Sequence, residues 1–249
     1  MILERRVTSS DRSLADHRSA DHNLADHRSA DDGLVVRSSP RSDAAEAYRT
    51  LATNIQFSSL DRPVRTLLVT SASSDEGKTT VLANLAVTLA STGRRVVVVD
   101  CDLRRPRLHT VFGVQDGPGL TSMILDESLA PPYQESTSPN VRVVSSGPLP
   151  PNPAELLGSE RMARAVAQIA ADADFVLFDA PPVTVVSDAA MLAARLDGVV
   201  LVVDSGRTRR EAGRRAKEQL DRVGARLLGV VLSNVKPEKS KSEYGPSGR

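Results

Sequence analysis

The chain has one cysteine, Cys101, in 249 residues, so no internal disulfide can form and stability must come from a packed core. It has no tryptophan and only 3% aromatic residues, too few for the stacking platforms that grip single-stranded nucleic acid. Neither sign of charge dominates. The 32 Lys and Arg against 31 Asp and Glu leave a formal net charge of +1, which gives no bulk field for nucleic acid or anionic lipid. Nucleic acid is therefore not expected as a partner. Long apolar runs are also missing: residues 96–99 and 199–203 are among the longest, far short of the roughly 20 that cross a bilayer. The N-terminus lacks the apolar stretch of a signal peptide. These absences fit a cytoplasmic protein that reaches the inner face of the membrane only through a partner.

What is present is enough for one α/β domain: 40% of residues are hydrophobic. Residues 1–41 read as a disordered leader. They hold a ten-residue repeat, Leu14 to Asp21 recurring at Leu24 to Asp31, too polar and too short to stack a core. Its histidines, His17, His22 and His27, are spaced by five, which puts no ligand set on one helix face. The expected domain covers 42–236 and begins with a helix capped by Asp43, with Ala44, Tyr48, Leu51 and Ile55 at helical spacing. Continuous apolar runs follow at 66–69, 96–99, 175–178, 199–203 and 227–232, as strands buried on both faces require. Helical stretches at 77–91, 160–171, 187–194 and 209–223 alternate with them. The pattern predicts a doubly wound, mostly parallel sheet of the P-loop NTPase type, with helices on both faces. Residues 237–249 read as a flexible tail carrying Tyr244.

Between the first strand and its helix lies Ala72-Ser73-Ser74-Asp75-Glu76-Gly77-Lys78-Thr79-Thr80, a Walker A pattern with Ala72 at the first glycine position. Backbone N–H groups of residues 74–80 and the positive helix end are placed to hold the phosphates of ATP. Lys78 is the residue that reaches the β- and γ-phosphates, and the Thr79 hydroxyl the one that ligates Mg2+. Two further strands end in carboxylates: Asp100-Cys101-Asp102 after 96–99, and Asp179 after 175–178. Carboxyl ends of parallel strands face one crevice, so Asp100, Asp102 and Asp179 are expected to converge on the nucleotide. Such carboxylates position Mg2+ or orient an attacking nucleophile. Cys101, between them, reads as an inward strand-end residue. The arginines Arg209, Arg210, Arg214 and Arg215 read as a solvated helix face.

The run Val-Val-Val-Val-Asp100-Cys101-Asp102-Leu103-Arg104-Arg105-Pro106 resembles the additional Walker motif of bacterial tyrosine kinases, the cytoplasmic autokinases of capsule and exopolysaccharide synthesis. Asp179-Ala180-Pro181-Pro182 is similar to their Walker B motif. The most specific likeness is the proline-rich segment from Ser146 to Ser159. Glu46-Ala47-Tyr48-Arg49-Thr50-Leu51 resembles the helix through which family members assemble into homo-oligomeric rings. The resemblance covers about residues 42–235 and implies a protein-tyrosine kinase using ATP and Mg2+. It implies phosphate binding by Lys78, metal binding by Thr79, Asp102 and Asp179, and Asp100 as base for the incoming tyrosine hydroxyl. It further implies a transmembrane polysaccharide co-polymerase as activator, on a separate chain because residues 1–41 contain no such unit.

The chain departs from the pattern in three places. Ser74-Asp75 replaces Pro-Gly in the loop, Ala52 stands where the ring helix has a second arginine, and Tyr244 is the one tyrosine of the tail. Tyr244 is the expected phosphosite. Two other readings compete. One is an ATPase switch of the partitioning type, which usually carries a second lysine where this chain has Ser73. The other is a nucleotide-binding regulator of polysaccharide export without catalysis.

Overall fold

The computed structural model describes residues 33–58 and 63–235. In chain order the elements are α1 (Val35–Ser38), α2 (Asp43–Phe57), β1 (Thr66–Ser71), α3 (Lys78–Ser91), β2 (Val96–Asp100), α4 (Leu108–Phe112), α5 (Leu120–Leu125), β3 (Gln134–Glu135), β4 (Val141–Val144), α6 (Pro153–Leu157), α7 (Glu160–Ala171), β5 (Phe175–Asp179), α8 (Asp188–Ala193), β6 (Gly198–Asp204), α9 (Arg210–Arg222) and β7 (Leu227–Ser233). The strands form one sheet in the order β3-β4-β2-β5-β1-β6-β7. All pairs are parallel except β3 with β4. The expected doubly wound, mostly parallel sheet is what the chain forms.

Every residue of β1, β2 and β5 is buried, because helices cover both faces of the sheet. One face packs Val99, Phe178 and Leu201 against Ile169 of α7 and Leu220 of α9. The other packs Leu67, Val98 and Val202 against Leu82, Leu85 and Leu89 of α3. Each such side chain contributes about 1.5–3 kcal/mol by leaving water.

Three sequence expectations are corrected. The leader does not run unstructured to residue 41. Leu34, 1% exposed, sits in the core beside α3. Asn84 of α3 is fully buried, and its side chain donates to the Gly33 carbonyl (2.8 Å) and accepts from the Val36 N–H (3.1 Å). A buried amide must find partners, and the backbone before α1 and within it supplies them. The repeat lies outside the described residues. The cap of α2 is Ser42, whose hydroxyl accepts from Ala45 N–H; Asp43 falls in the first turn, where its charge favours the helix dipole. Ala45 is the buried residue there and Ala44 is exposed.

The strand β4 has no counterpart among the expected strands, since Arg142 interrupts its apolar run. Arg142 leaves the core by stacking over the Tyr133 ring, 3.9 Å from its centroid, and donating to the Asp172 carbonyl. The proline-rich segment is packed rather than extended. Leu157 of α6 is fully buried, and Ser159 caps α7 by accepting from Met162 N–H. Among the described residues no helix is long and apolar enough to cross a membrane.

Candidate active site

The loop between β1 and α3 turns sharply at two residues in the left-handed region, Asp75 (φ 59°) and Gly77 (φ 82°). Aspartate tolerates that conformation better than most non-glycine residues, which explains how it stands where the family pattern has glycine. Gly77 is the N-cap of α3 and offers no capping side chain. The first N–H groups of the helix are therefore left for a ligand, the arrangement that receives phosphate. Ser74 and Asp75 are exposed at the mouth, with Thr80 beside them on α3.

The loop is braced from behind by Glu76, which sequence reasoning places among the phosphate-binding residues. Glu76 is 3% exposed, and its carboxylate accepts from Ser73 N–H (2.9 Å) and from the Thr208 hydroxyl. The Ser233 hydroxyl donates to the Glu76 carbonyl (2.7 Å). These hydrogen bonds tie the loop to the ends of β6 and β7. Neither Thr208 nor Ser233 belongs to the loop motif, so no signal in the sequence marks them.

Lys78 points across the loop towards the ends of β2 and β5. Its Nζ is 2.9 Å from Asp102 Oδ2 and 3.7 Å from Asp179 Oδ1. Burial opposes the lysine charge, but Asp179 and Asp102 outweigh it and raise its pKa above the ordinary value. The Thr79 hydroxyl donates to Asp179 Oδ2 at 2.6 Å. Thus the structure brings Lys78, Thr79, Asp102 and Asp179 into one cluster. Burial pushes Asp179 up, against the pull of Lys78 and Thr79.

Asp100 sits apart from the cleft. It is fully buried beside Asp179 in the β2–β5 register. Its Oδ2 accepts from the N–H groups of Arg107 and Leu108, both at 2.9 Å, and its Oδ1 from Asp102 N–H at 3.2 Å. Burial and then the charge of Asp179 push its pKa up to about 7, despite those amide donors. In this arrangement Asp100 anchors the loop 101–107, and its oxygens are not presented to a substrate hydroxyl. Cys101 is fully buried, and burial raises its thiol well above the usual range, so it is inert as a nucleophile.

A cleft of about 370 Å3 opens over this cluster. One wall is the loop from Ser74 to Thr80; the others are Asp102 to Arg107 and Pro181 to Val186. Phosphates belong on the loop, and β2 and β5 stand on the side to which Lys78 turns.

The donor set fits Mg2+. Asp179 Oδ1 is buried with no hydrogen-bond partner, its neighbour Lys78 being too distant for one. With the Thr79 hydroxyl and Asp102 it offers hard oxygen ligands. No group of three or more acidic, histidine or cysteine side chains forms a ready-made metal cage among the described residues. That is the expected state for an ion bound through one or two carboxylates and the nucleotide's own phosphates.

A ParA model, described as NUBPL iron-transfer P-loop NTPase, matches residues 63–243. It establishes a nucleotide-binding P-loop domain; iron transfer does not carry over to a chain with one buried cysteine. The tyrosine-protein kinase YwqD of Bacillus subtilis is 43% identical over 216 residues, 86% of this chain and 91% of that protein. This chain belongs to the bacterial tyrosine-kinase family. The kinase domain of the Escherichia coli tyrosine kinase ETK superposes with a TM-score of 0.75 at 29% identity, covering 90% of this chain and 86% of that one. The chimerical protein CapA2B2 gives 0.76 at 35% identity, covering 80% and 88%.

Within this kinase the ring-helix residues are engaged inside their own chain. Glu46 and Arg49 pair at 2.7 Å, and the Arg49 guanidinium also donates to the Pro40 carbonyl at 3.0 Å. Ala52 is 3% exposed and faces the core, which explains why a long charged side chain is missing there. Tyr244 lies outside the described residues. On α9 the positive residues are exposed and partly paired along the helix, as in Arg214–Glu218 and Lys217–Asp221.

Proposed function

We propose that this kinase transfers the γ-phosphoryl group of Mg-ATP to tyrosine, with Tyr244 of its own kind as one acceptor, in the control of exopolysaccharide or capsule export. The observation that carries the reading is the cluster of Lys78, Thr79, Asp102 and Asp179 at the end of an uncapped helix. A phosphoryl transferase needs positioning and charge stabilisation more than covalent chemistry, and this cluster supplies both.

Residues 74–80 hold the phosphates through their N–H groups. Lys78 leaves Asp102 to neutralise the β- and γ-phosphates. Thr79 and Asp179 would hold Mg2+ directly and Asp102 through a water, and the ion would offset charge on the transferred group. The tyrosine oxygen attacks phosphorus, the bond to the β,γ-bridging oxygen breaks, and ADP leaves. Of the two carboxylates on the β2 end, Asp102 lines the cleft, while the oxygens of Asp100 are taken by three backbone N–H groups. We therefore give Asp102 the role of orienting the hydroxyl and receiving its proton, and Asp100 the role of fixing the loop that carries Asp102.

A transmembrane co-polymerase on a separate chain is the proposed activator, and self-association through α2 the proposed assembly. Recruitment to the inner membrane face follows from that partner. The test is purified protein with Mg-ATP, with and without the activator, probed for phosphotyrosine. Signal that Lys78→Met removes supports the reading; ATP hydrolysis with no phosphotyrosine in either condition overturns it and favours an ATPase switch.

A further inference from the structure

The far walls of the cleft carry more positive charge than catalysis uses. Four cations line it: Lys78, Arg104, Arg105 and Arg107. Two are matched internally. Lys78 pairs with Asp102, and Arg104 forks onto the fully buried Asp188 of α8 at 3.0 and 3.2 Å. Of the acids at the cleft, Glu76 is turned onto Ser73 and Thr208. What remains is Asp75 at the mouth of the phosphate loop and two exposed arginines, Arg105 and Arg107, on the wall that also carries Asp102.

Arg105 and Arg107 have no acidic partner among the described residues, yet they are not on a loose loop. Arg105 N–H donates to Asp102 Oδ1 (3.1 Å) and Arg107 N–H to Asp100 Oδ2 (2.9 Å). Their backbone is held by Asp102 and Asp100, so both side chains leave the cleft wall from a fixed backbone. The same cleft is lined by Pro181 and Pro182, both largely buried, and by Val185, 61% exposed, an apolar surface on which an aromatic ring can lie. An apolar face and two unpaired cations, in the same cleft as Lys78 and Asp102, suit one chemical class.

We propose that Arg105 and Arg107 form an acceptor subsite that selects tyrosines flanked by acidic residues. The inference rests on the kinase reading above and specifies its substrate. The chain's own tail matches only in part: Glu243 precedes Tyr244, but Lys236, Lys239, Lys241 and Arg249 outnumber Glu238 and Glu243. The subsite therefore favours an acidic tyrosine segment on another protein over this tail.

The test uses the full chain with Mg-ATP and three synthetic tyrosine peptides: one with glutamates flanking the tyrosine, one with serines and one with lysines. The kcat/KM values should fall in that order, by a factor of about two to five for each ion pair that cannot form, the range for an exposed pair. Arg105→Glu with Arg107→Glu should invert the order, with the change in peptide KM and not in ATP KM. Transfer that is blind to flanking charge overturns this inference and leaves the kinase reading standing. A rise in ATP KM that matches the rise in peptide KM also overturns it, by assigning the arginines to the nucleotide. No transfer to any peptide, nor to the chain's own tyrosine, defeats the kinase reading itself and this inference with it.

Discussion

Asp100→Asn separates an anchoring carboxylate from one that must reach substrate. In the folded chain Asp100 is pushed from 3.8 to about 7, mainly by burial and then by Asp179. A raised carboxyl pKa means the folded state holds a proton that the unfolded chain has already released. The stability it contributes is full below about pH 4 and is lost as pH rises through about 7. Between pH 6 and pH 8 one group with this shift removes about 1.4 kcal/mol. The other charged groups around it are Asp179 on β5, Asp102 in its own loop and Lys78 on α3, and all three remain in the variant. Asparagine keeps one acceptor oxygen for three N–H donors and turns its own amide against at least one of them. It should cost about 1–3 kcal/mol at pH 6. Urea denaturation without nucleotide and with EDTA should show the gap between wild type and variant narrowing by about 1.4 kcal/mol by pH 8. A gap that stays constant or widens refutes the claim that Asp100 titrates in this range. If Asp100 is an anchor, the variant's residual kinase activity should follow its folded fraction and the position of the 101–107 loop. A loss of kcat with stability intact at pH 8 would restore it as the base.

Leu34→Ala should cost about 2–5 kcal/mol, since this residue before α1 is a core residue, and thermal denaturation reads the loss. If Leu34 is instead part of a loose leader, its removal will not move the midpoint. Gly119→Ala should destabilise by several kcal/mol or prevent folding, because an added Cβ would lie 2.2 Å from the Ser145 carbonyl oxygen and 2.4 Å from Gly147 N. Soluble expression and the melting curve report it. Thr79→Val removes the hydroxyl that donates to Asp179 and should weaken Mg-nucleotide binding about 10- to 100-fold while leaving nucleotide binding in EDTA nearly unchanged. Equal losses in both conditions would mean that Thr79 serves the loop's shape and not the metal.

Much of the fold is legible in the sequence because buried parallel strands read as unbroken apolar runs. The α7 helix falls on the expected residues 160–171. Strand β4 escapes because the one side chain in it that is not fully buried, Arg142, is long enough to leave the sheet and stack on Tyr133. The ordered segment at Leu34 escapes because its cause lies 50 residues away, in the buried amide of Asn84. The cleft is legible in Lys78, Thr79, Asp102 and Asp179, which occur at fixed places relative to strand ends. Asp100 has the same place in the pattern and a different environment: two residues before Asp102, its side chain meets the N–H groups of Arg107 and Leu108, where the loop turns back onto the end of β2. Spacing alone carries no information about that return. Arg105 stands in the motif and Arg107 just after it, neither with a task of its own, since which arginines are already paired is known only when Asp188 is seen beneath Arg104.

Mass spectrometry of the full chain after incubation with Mg-ATP, with and without a candidate membrane activator, asks whether this cleft transfers phosphate to tyrosine. A phosphate on Tyr244 in the wild type and none in Lys78→Met is the expected result. Rapid ATP turnover with an unmodified Tyr244 and no phosphotyrosine on the activator or on added acidic tyrosine peptides would contradict it.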